Sequence, residues 1–571
     1  MMRAYTVVPD TTQRAGWAAS IRAFFVPNYW LIGSFAVACV VLLPLVSVMY
    51  LAFFPVENIW PHLFDTVLFG YIRNTLFLMI GVGVGTFLIG TSTAWLVTMC
   101  RFPGRAVLEW ALLLPLAVPA FVLAYVYTDL LEYAGPVQIV LRALFGWQSA
   151  RDYYFPDVRS LGGAILMMTL VLYPYVYLLA RSAFLDQSVA VMEASRTLGC
   201  TPWQSFFRIA LPMARPSLVI GLALALMETL NDFGTVDFFA VRTLTAGIFN
   251  VWLLMGNLGG GAQVSLVLLF FVVSLIVLER HGRRGRRYHD LSTRRMSLVW
   301  FSLPGIRRWM ALLICVLPVV LGFIIPALQL LFFAVKRFEE SWTPQFVDYA
   351  FNSLLVSSVA AAVAALLALF MGYAGTIRRG RKLASFFVQA ASLGYAIPGA
   401  VLGVGILVPV GYFNTALQEW VSGIFGISME QILSGSFIGL VVAYVIRFLA
   451  LSLGTVQAGF GRIRPSLGMA ARTLGYSPRR VLWSVHVPML RGSLLTAVLL
   501  VFVDCMKELP ATLLLRPFNF ETLATHVYQF ASEEMLEQAA LASLAIVLTG
   551  IVPVIILSLS ISSTRRRKDV V

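Results

Sequence analysis

The sequence predicts an all-α polytopic membrane protein, with about twelve transmembrane helices arranged as two parallel six-helix repeats. Three observations predict it. Apolar residues make up 59% of the 571 residues and charged residues 12%, about half the charged share of a soluble chain. The apolar residues fall in runs of roughly 20, the length that crosses a hydrocarbon core of about 30 Å. A polar segment recurs 276 residues after its first appearance. The mean hydropathy of +0.85 agrees with a membrane class and excludes a soluble globular one.

The apolar runs lie at about 29–54, 74–99, 108–131, 161–184, 216–236, 261–279, 309–334, 352–375, 384–408, 436–455, 493–510 and 539–561. Charges interrupt the fifth and the eleventh. The first run starts too late and is too long for a cleaved signal peptide, so it is expected to remain as a span. The formal net charge is +15. Its arginines sit in short loops between apolar runs, so topology and anionic headgroups account for it and nucleic-acid binding does not. With twelve spans, Arg3 to Arg22, Arg101 and Arg105, Arg196 to Arg215, Arg283 to Arg308, Arg378 to Lys382, Arg462 to Arg491 and Arg565 to Lys568 all fall on one side. The positive-inside rule makes that side, and both termini, cytoplasmic. Five scattered cysteines form no CxxC pair, which argues against a disulfide framework or a metal site.

The basic stretch 281–308 divides six spans from six. The expected organisation is a cytoplasmic segment 1–28, a first transmembrane domain 29–280, a linker 281–308, a second transmembrane domain 309–561 and a basic tail 562–571. Other landmarks repeat: Asn74-Thr75 with Asn352-Ser353, and Pro119 with Pro398. Even numbers of spans give both halves the same orientation, related by an axis along the membrane normal, with a translocation path expected between them.

The recurring segment is Glu193-Ala-Ser-Arg-Thr-Leu-Gly199, nine residues, then Ile209-Ala-Leu211-Pro212. Its second copy is Met469-Ala470-Ala471-Arg-Thr-Leu-Gly475, nine residues, then Val485-His-Val-Pro488. Gly199 and Gly475 suit left-handed helix caps. Thr201-Pro202 and Ser477-Pro478 read as an N-cap followed by proline at the first helical position. Pro212 and Pro488 are expected to end the second short helix, just before a spanning helix. Such a helix-turn-helix either packs on the protein's own base or docks a partner. Two copies favour docking to a two-fold symmetric partner.

The pattern Glu-Ala-Ala-x3-Gly-x9-Ile-x-Leu-Pro resembles the cytoplasmic EAA loop of binding-protein-dependent ABC importer permeases. Glu193, Ala194, Gly199, Ile209, Leu211 and Pro212 match it, with Ser195 in place of the second alanine. Ala470, Ala471, Gly475 and Pro488 match in the second copy, where Met469 replaces the glutamate and valines stand at 485 and 487. The resemblance covers nearly the whole chain. It implies a MetI-like permease fold and coupling helices that insert into ATP-binding subunits. The implied partners are two copies of a cytoplasmic ABC ATPase, a periplasmic binding protein and the lipid bilayer of the bacterial inner membrane. No GxxxxGK[ST] segment occurs. The chain is therefore expected to be no enzyme and to bind no cofactor, with ATP and Mg held by the partner ATPase.

The fifth and eleventh runs carry Glu228 and Asp232, and Asp504, Lys507 and Glu508. The same offset pairs Glu228 with Asp504 and Asp232 with Glu508. The i,i+4 spacing puts each pair of carboxylates on one helix face, and Glu228 is expected near mid-membrane. Such charges hold helices together, with Lys507 neutralising an acid, or they line a translocation path suited to a cation. No cluster has reliable metal-ligand spacing. The segments Thr243–Leu254 and Leu523–Phe530 are expected to be amphipathic and interfacial. The wording of Lys507 to Ala524 and of Glu228 to Asp237 is similar to the iron(III) permease subgroup. Permeases for thiamine, polyamine or phosphonate share much of it. An ion-coupled secondary transporter with two six-span halves is the alternative of another class.

Overall fold

The computed structural model describes residues 29–185, 187, 191, 194–195, 197–283, 301–376, 381–425 and 436–570. Among the described residues eleven helices are long and apolar enough to cross a membrane. They are Tyr29–Phe53, Leu68–Met99, Leu161–Leu185, Trp203–Asn231, Leu258–Gly282, Ile306–Lys336, Pro344–Ala374, Gly399–Ile424, Phe437–Arg462, Pro478–Met506 and Leu536–Pro553. A pair bent by 91°, Arg105–Ala117 with Ala120–Phe145, is a broken span or a re-entrant loop, and makes a twelfth span in the first case. Among the described residues the strand content is one two-residue ladder, β1 (Cys100–Arg101) parallel to β2 (Phe301–Ser302).

Several boundaries depart from the apolar runs, each for a backbone reason. The third span is not one rod over 108–131. Pro119 has no N–H to donate and forces Val118 into extended backbone (φ −92°, ψ 121°), so the chain turns and restarts at Ala120. The ninth span does not run over 384–408. A short helix, Arg381–Ala391, gives way to a 3-10 turn, and Pro398 then opens the spanning helix. The fifth and eleventh spans start earlier than expected, at Trp203 and Pro478, and stop at Asn231 and Met506. The acids that interrupt those runs therefore lie at the helix ends.

By contact the chain divides into two compact units, residues 1–43, 361–395 and 445–501, and residues 44–360, 396–444 and 502–571. In the second unit the core helices are the second and fourth spans. Lipid gives apolar helices no hydrophobic drive to associate, so close backbone approach must hold them. Glycines supply it. A Cβ at Gly81 would lie 2.5 Å from Ile165, at Gly85 2.6 Å from Thr169, and at Gly90 2.7 Å from Val176 and 2.9 Å from the Tyr173 carbonyl. The seventh span packs on this first-half core. Tyr127 Oη donates to the Leu321 carbonyl at 2.7 Å, and Gly322 lets the helix approach the Leu170 carbonyl and Pro115.

In the smaller unit the first span packs on second-half elements. Trp30 meets Phe370 at 4.9 Å and Tyr373 at 4.8 Å, and Leu31 and Ala38 join a cluster with Ala374, Ala384 and Phe387. The first span of each half is thus seated on helices of the other.

The glycine stripe gives a direct test. Gly90→Val should destabilise the purified protein by about 2 kcal/mol through overpacking, lowering its melting temperature. Gly70→Val should leave it unchanged, because nothing lies within 4 Å of a Cβ there. Equal melting for the two variants would remove the stripe from the account.

Candidate functional site

The two recurring segments fold alike. Gly199 (φ 81°) and Gly475 (φ 85°) both occupy the left-handed region, as the cap expectation requires. In each copy the residue after the glycine donates back to close the turn: Cys200 N to the Ser195 carbonyl at 3.0 Å, and Tyr476 N to Ala471 at 3.1 Å. A new helix then begins under a hydroxyl cap, Thr201 Oγ1 accepting from Gln204 N and Ser477 Oγ from Arg480 N.

The prolines do not end that helix, contrary to expectation. A single π turn, Phe206–Ala210 in one copy and Leu482–His486 in the other, runs straight into the span. Leu211 N bonds to the Phe206 carbonyl and Val487 N to the Leu482 carbonyl, one register step longer than in an α-helix. That shift falls immediately before Pro212 and Pro488, where the α ladder lacks a donor. Each recurring segment is therefore mechanically continuous with its spanning helix.

Burial matches position by position. Ala194 and Ala470 are exposed, Ser195 and Ala471 buried, Ile209 and Val485 half-buried, and Pro212 and Pro488 exposed. Leu211, like Val487, is half-buried, and Met469 is exposed. Glu193 lies outside the described residues. Two large apolar positions are exposed in both copies: Leu198 and Leu474 are 82% and 78% exposed, Phe207 and Trp483 59% and 60%, while Trp203, 68% exposed, has Arg479 as its counterpart.

The supports beneath the copies differ. Phe206 rests on Trp95 (5.0 Å) and Phe184 (6.3 Å), and Phe301 of β2 covers Trp95 at 6.1 Å. Under the second copy His486 lies between Tyr373 (5.4 Å) and Phe460 (5.5 Å), and Tyr373 Oη donates to the Pro478 carbonyl at 2.8 Å.

At the far ends of the two spans the charged residues take distinct roles. The fifth-span helix has 29 residues, about 43 Å at 1.5 Å per residue, which exceeds the hydrocarbon core. Glu228 sits in its last turn and not near the middle. Asp232 leaves the helix (φ −68°, ψ 127°), so it shares no helix face with Glu228. Its carboxylate caps the next short helix, Gly234–Phe238, accepting from Thr235 N at 2.9 Å and Thr235 Oγ1 at 3.0 Å. Glu508 repeats this for Pro510–Leu515, accepting from Ala511 N at 3.1 Å, Thr512 N at 3.0 Å and Thr512 Oγ1 at 2.8 Å. Lys507 pairs with Asp504 at 2.8 Å. Neighbouring Asn231 Oδ1 accepts from Gly399 N, the first residue of the ninth-span helix, at 2.8 Å.

The segments beyond these caps are anchored by the repeated Asn-Thr and Asn-Ser landmarks. Asn74 Nδ2 donates to the Arg242 carbonyl and Thr75 Oγ1 accepts from Leu244 N, both at 3.0 Å. Asn352 Nδ2 donates to Glu521 O at 3.1 Å and Ser353 Oγ accepts from Leu523 N at 2.7 Å. Leu244 to Phe249 are all buried, so that stretch is not interfacial as the sequence suggested. Leu253 and Leu254 remain exposed. Asp237 accepts from Tyr528 Oη at 2.6 Å, joining the segment after the fifth span to that after the eleventh. Burial pushes the Asp237 carboxyl above its ordinary range, partly offset by that bond, and burial also raises the Tyr528 phenol.

Two buried arginines were not anticipated. Arg181 pairs with Glu109. Arg447 lies ten residues into Phe437–Arg462, 6% exposed, with its guanidinium 5.2 Å from the Phe448 ring. A lone arginine inside the 436–455 apolar run was the available signal. Among the described residues no group of three His, Cys, Asp or Glu side chains could hold a metal.

Comparison with known proteins decides the family. Residues 86–288 and 364–568 each match the family described as "Binding-protein-dependent transport system inner membrane component". The chain belongs to this family. It is a multi-pass inner-membrane permease of an ABC importer, a family that works with a periplasmic binding protein and an ATPase. It is 24% identical over 491 residues to an Fe(3+)-transport system permease protein of Haemophilus influenzae, covering 85% of this chain and 89% of that one. It is 29% identical over 204 residues to a molybdenum transport system permease protein of Escherichia coli, covering 34% of this chain and 86% of that one. It is 30% identical over 205 residues to a sulfate transport system permease protein of the same species, covering 36% and 71%. These relatives are transport permeases rather than enzymes.

The capping geometry makes a prediction. Glu508→Ala removes three accepted hydrogen bonds and should destabilise the protein by about 1–2 kcal/mol. Glu508→Gln, which keeps an acceptor, should recover most of that. Full stability of Glu508→Ala in a thermal melt would show the cap to be dispensable.

Proposed function

We propose that the chain is a two-domain permease of an iron(III) importer, docking one ATPase subunit at each recurring segment and receiving substrate from a periplasmic binding protein. The observation that carries the docking reading is the equality of the two copies. The same turn, the same π step and the same two exposed apolar positions recur at an offset of 276 residues. A segment that packed only on its own base would bury Leu198 and Leu474. An isolated exposed leucine is ordinary, but a matched pair on duplicated turns suits a two-fold partner.

The iron(III) assignment is supported by the relative that spans most of the chain and by acids at the far ends of the fifth and eleventh spans. Molybdenum and sulfate permeases are the competing substrate reading, because they match about a third of the chain at 29% and 30% identity. The arginine distribution supports a cytoplasmic location for both termini and both docking segments.

Three outcomes are expected. The partner binding protein should bind iron(III) when titrated against iron(III), thiamine, molybdate and sulfate; preference for another ligand would redirect the substrate reading. Gly199→Ala and Gly475→Ala each force a left-handed backbone on a Cβ, at about 1–2 kcal/mol. Nothing crowds either position, so the penalty is purely conformational. The double variant should remain folded and lose most ATP-driven import; unchanged import would favour a scaffold. The copies should also differ in sensitivity. Met469 stands where the first copy has Glu193, so disrupting the first copy should reduce import more than the equivalent change in the second.

A further inference from the structure

We propose that the cavity where the second span ends binds the phosphate headgroup of an anionic phospholipid, taken from the leaflet that adjoins the recurring segments. The inference rests on the membrane placement of the family and on no substrate assignment, and iron enters no step of its test.

The second span ends at Met99, and Cys100–Arg101 then pairs with Phe301–Ser302. Pro103 and Gly104 turn the chain, with Gly104 in the left-handed region (φ 72°), and the short helix Arg105–Ala111 follows. Arg101, Gly104, Arg105, Val107 and Glu109 line an open cavity of about 600 Å³ at this turn. Trp95, near the end of the same span, meets Phe206 of the first recurring segment at 5.0 Å, so the cavity lies at that end of the molecule. Its wall is fixed by local bonds. Arg105 Nε donates to the Val97 carbonyl at 2.5 Å. From the fourth span, Tyr177 Oη donates to the Glu109 carbonyl at 2.8 Å, and buried Arg181 pairs with the Glu109 carboxylate.

The guanidiniums of Arg101, Arg105 and Arg181 thus stand against one carboxylate, that of Glu109. The surplus is positive, and guanidinium matches phosphate through its planar fork of N–H donors. Arg105 is already held in place, so little ordering is lost when an anion binds. The surroundings select a lipid over a free anion. Val107 and Trp110 on the short helix are 56% and 41% exposed. The helix Ile306–Val319 passes alongside, since a Cβ at Gly104 would lie 3.5 Å from Leu312. It adds exposed Trp309 and Leu313, with exposed Arg308 5.6 Å from the Trp309 ring. Tryptophans among arginines at the ends of spanning helices mark the headgroup level, and basic pockets between such helices bind anionic headgroups. The phosphate lies at Arg101 and Arg105, and the acyl chains cover Val107, Trp110 and Leu313. A lipid held there braces the end of the second span, on which Phe206 rests through Trp95.

The permease–ATPase complex in non-ionic detergent is titrated with dioleoylphosphatidylglycerol and, in parallel, with dioleoylphosphatidylcholine and inorganic phosphate. Native mass spectrometry reads the affinity for the first bound lipid and the ATPase subunits retained. Phosphatidylglycerol should bind more tightly than phosphatidylcholine, and inorganic phosphate should not displace it. Arg101→Gln should weaken the first phosphatidylglycerol roughly fivefold, the order expected for one guanidinium beside an anionic headgroup. The strand pairs through its backbone, so this variant should melt like the wild type when no lipid is added. Arg105→Gln should weaken binding at least as much, and exposed Arg151→Gln should leave it unchanged. Equal affinity for the two lipids, or wild-type binding by Arg101→Gln, would overturn the site. Displacement by phosphate would assign the cavity to a soluble anion. Loss of ATPase from Arg101→Gln with lipid binding unchanged would assign it to the protein interface. Either result overturns the lipid reading and leaves the iron(III) reading untouched.

Discussion

Every break in a membrane helix must find partners for the backbone groups it frees, because hydrocarbon offers none. The rest of this structure depends on how that demand is met. Where the fifth and eleventh helices stop, Asp232 and Glu508 turn their carboxylates onto the first amides of the next helix. Asn231 serves the opening amide of the ninth-span helix. Where prolines interrupt the ladder at 212 and 488, a π turn precedes each. Satisfied breaks allow short, re-aimed helices to exist within the fold, and those helices carry Asp237 and Tyr528 toward each other.

The same devices link the two ends of each long helix. A π turn keeps the second short helix of each recurring segment and the span one continuous rod, from Trp203 to Asn231 and from Pro478 to Met506. Displacing the exposed turn at Leu198 or Leu474 therefore moves a helix whose far end is a carboxylate-capped joint. That is a physical route by which a motion at one face can reach the other. The ion pairs among Lys336, Arg337, Glu340 and Glu537 are about a third or more exposed and contribute little each. The backbone caps and the glycine contacts carry more of the architecture.

Much of this was legible in the residues. Hydropathy gave the spans, and the 276-residue recurrence gave the two halves and their left-handed glycines. The Asn-Thr and Asn-Ser landmarks could be seen to repeat, yet their partners 168 to 170 residues away could not be read from spacing. Asp232 departs from its i,i+4 spacing because that spacing implies one face only while the helix lasts. Asp232-Phe-Gly-Thr235 was also readable as a cap. The π turns have no sequence signature apart from the proline that follows. The bends at Pro119 and Pro398 were marked by the prolines, but an apolar run gives no hint that a helix inside it changes direction.

The central claim is that one chain supplies two equivalent docking segments for a two-fold ATPase. Native mass spectrometry of the complex purified from its own membrane measures this directly. The account predicts two ATPase subunits for each permease chain. A complex with a single ATPase, or a permease that purifies with none under conditions that preserve transport, would contradict it.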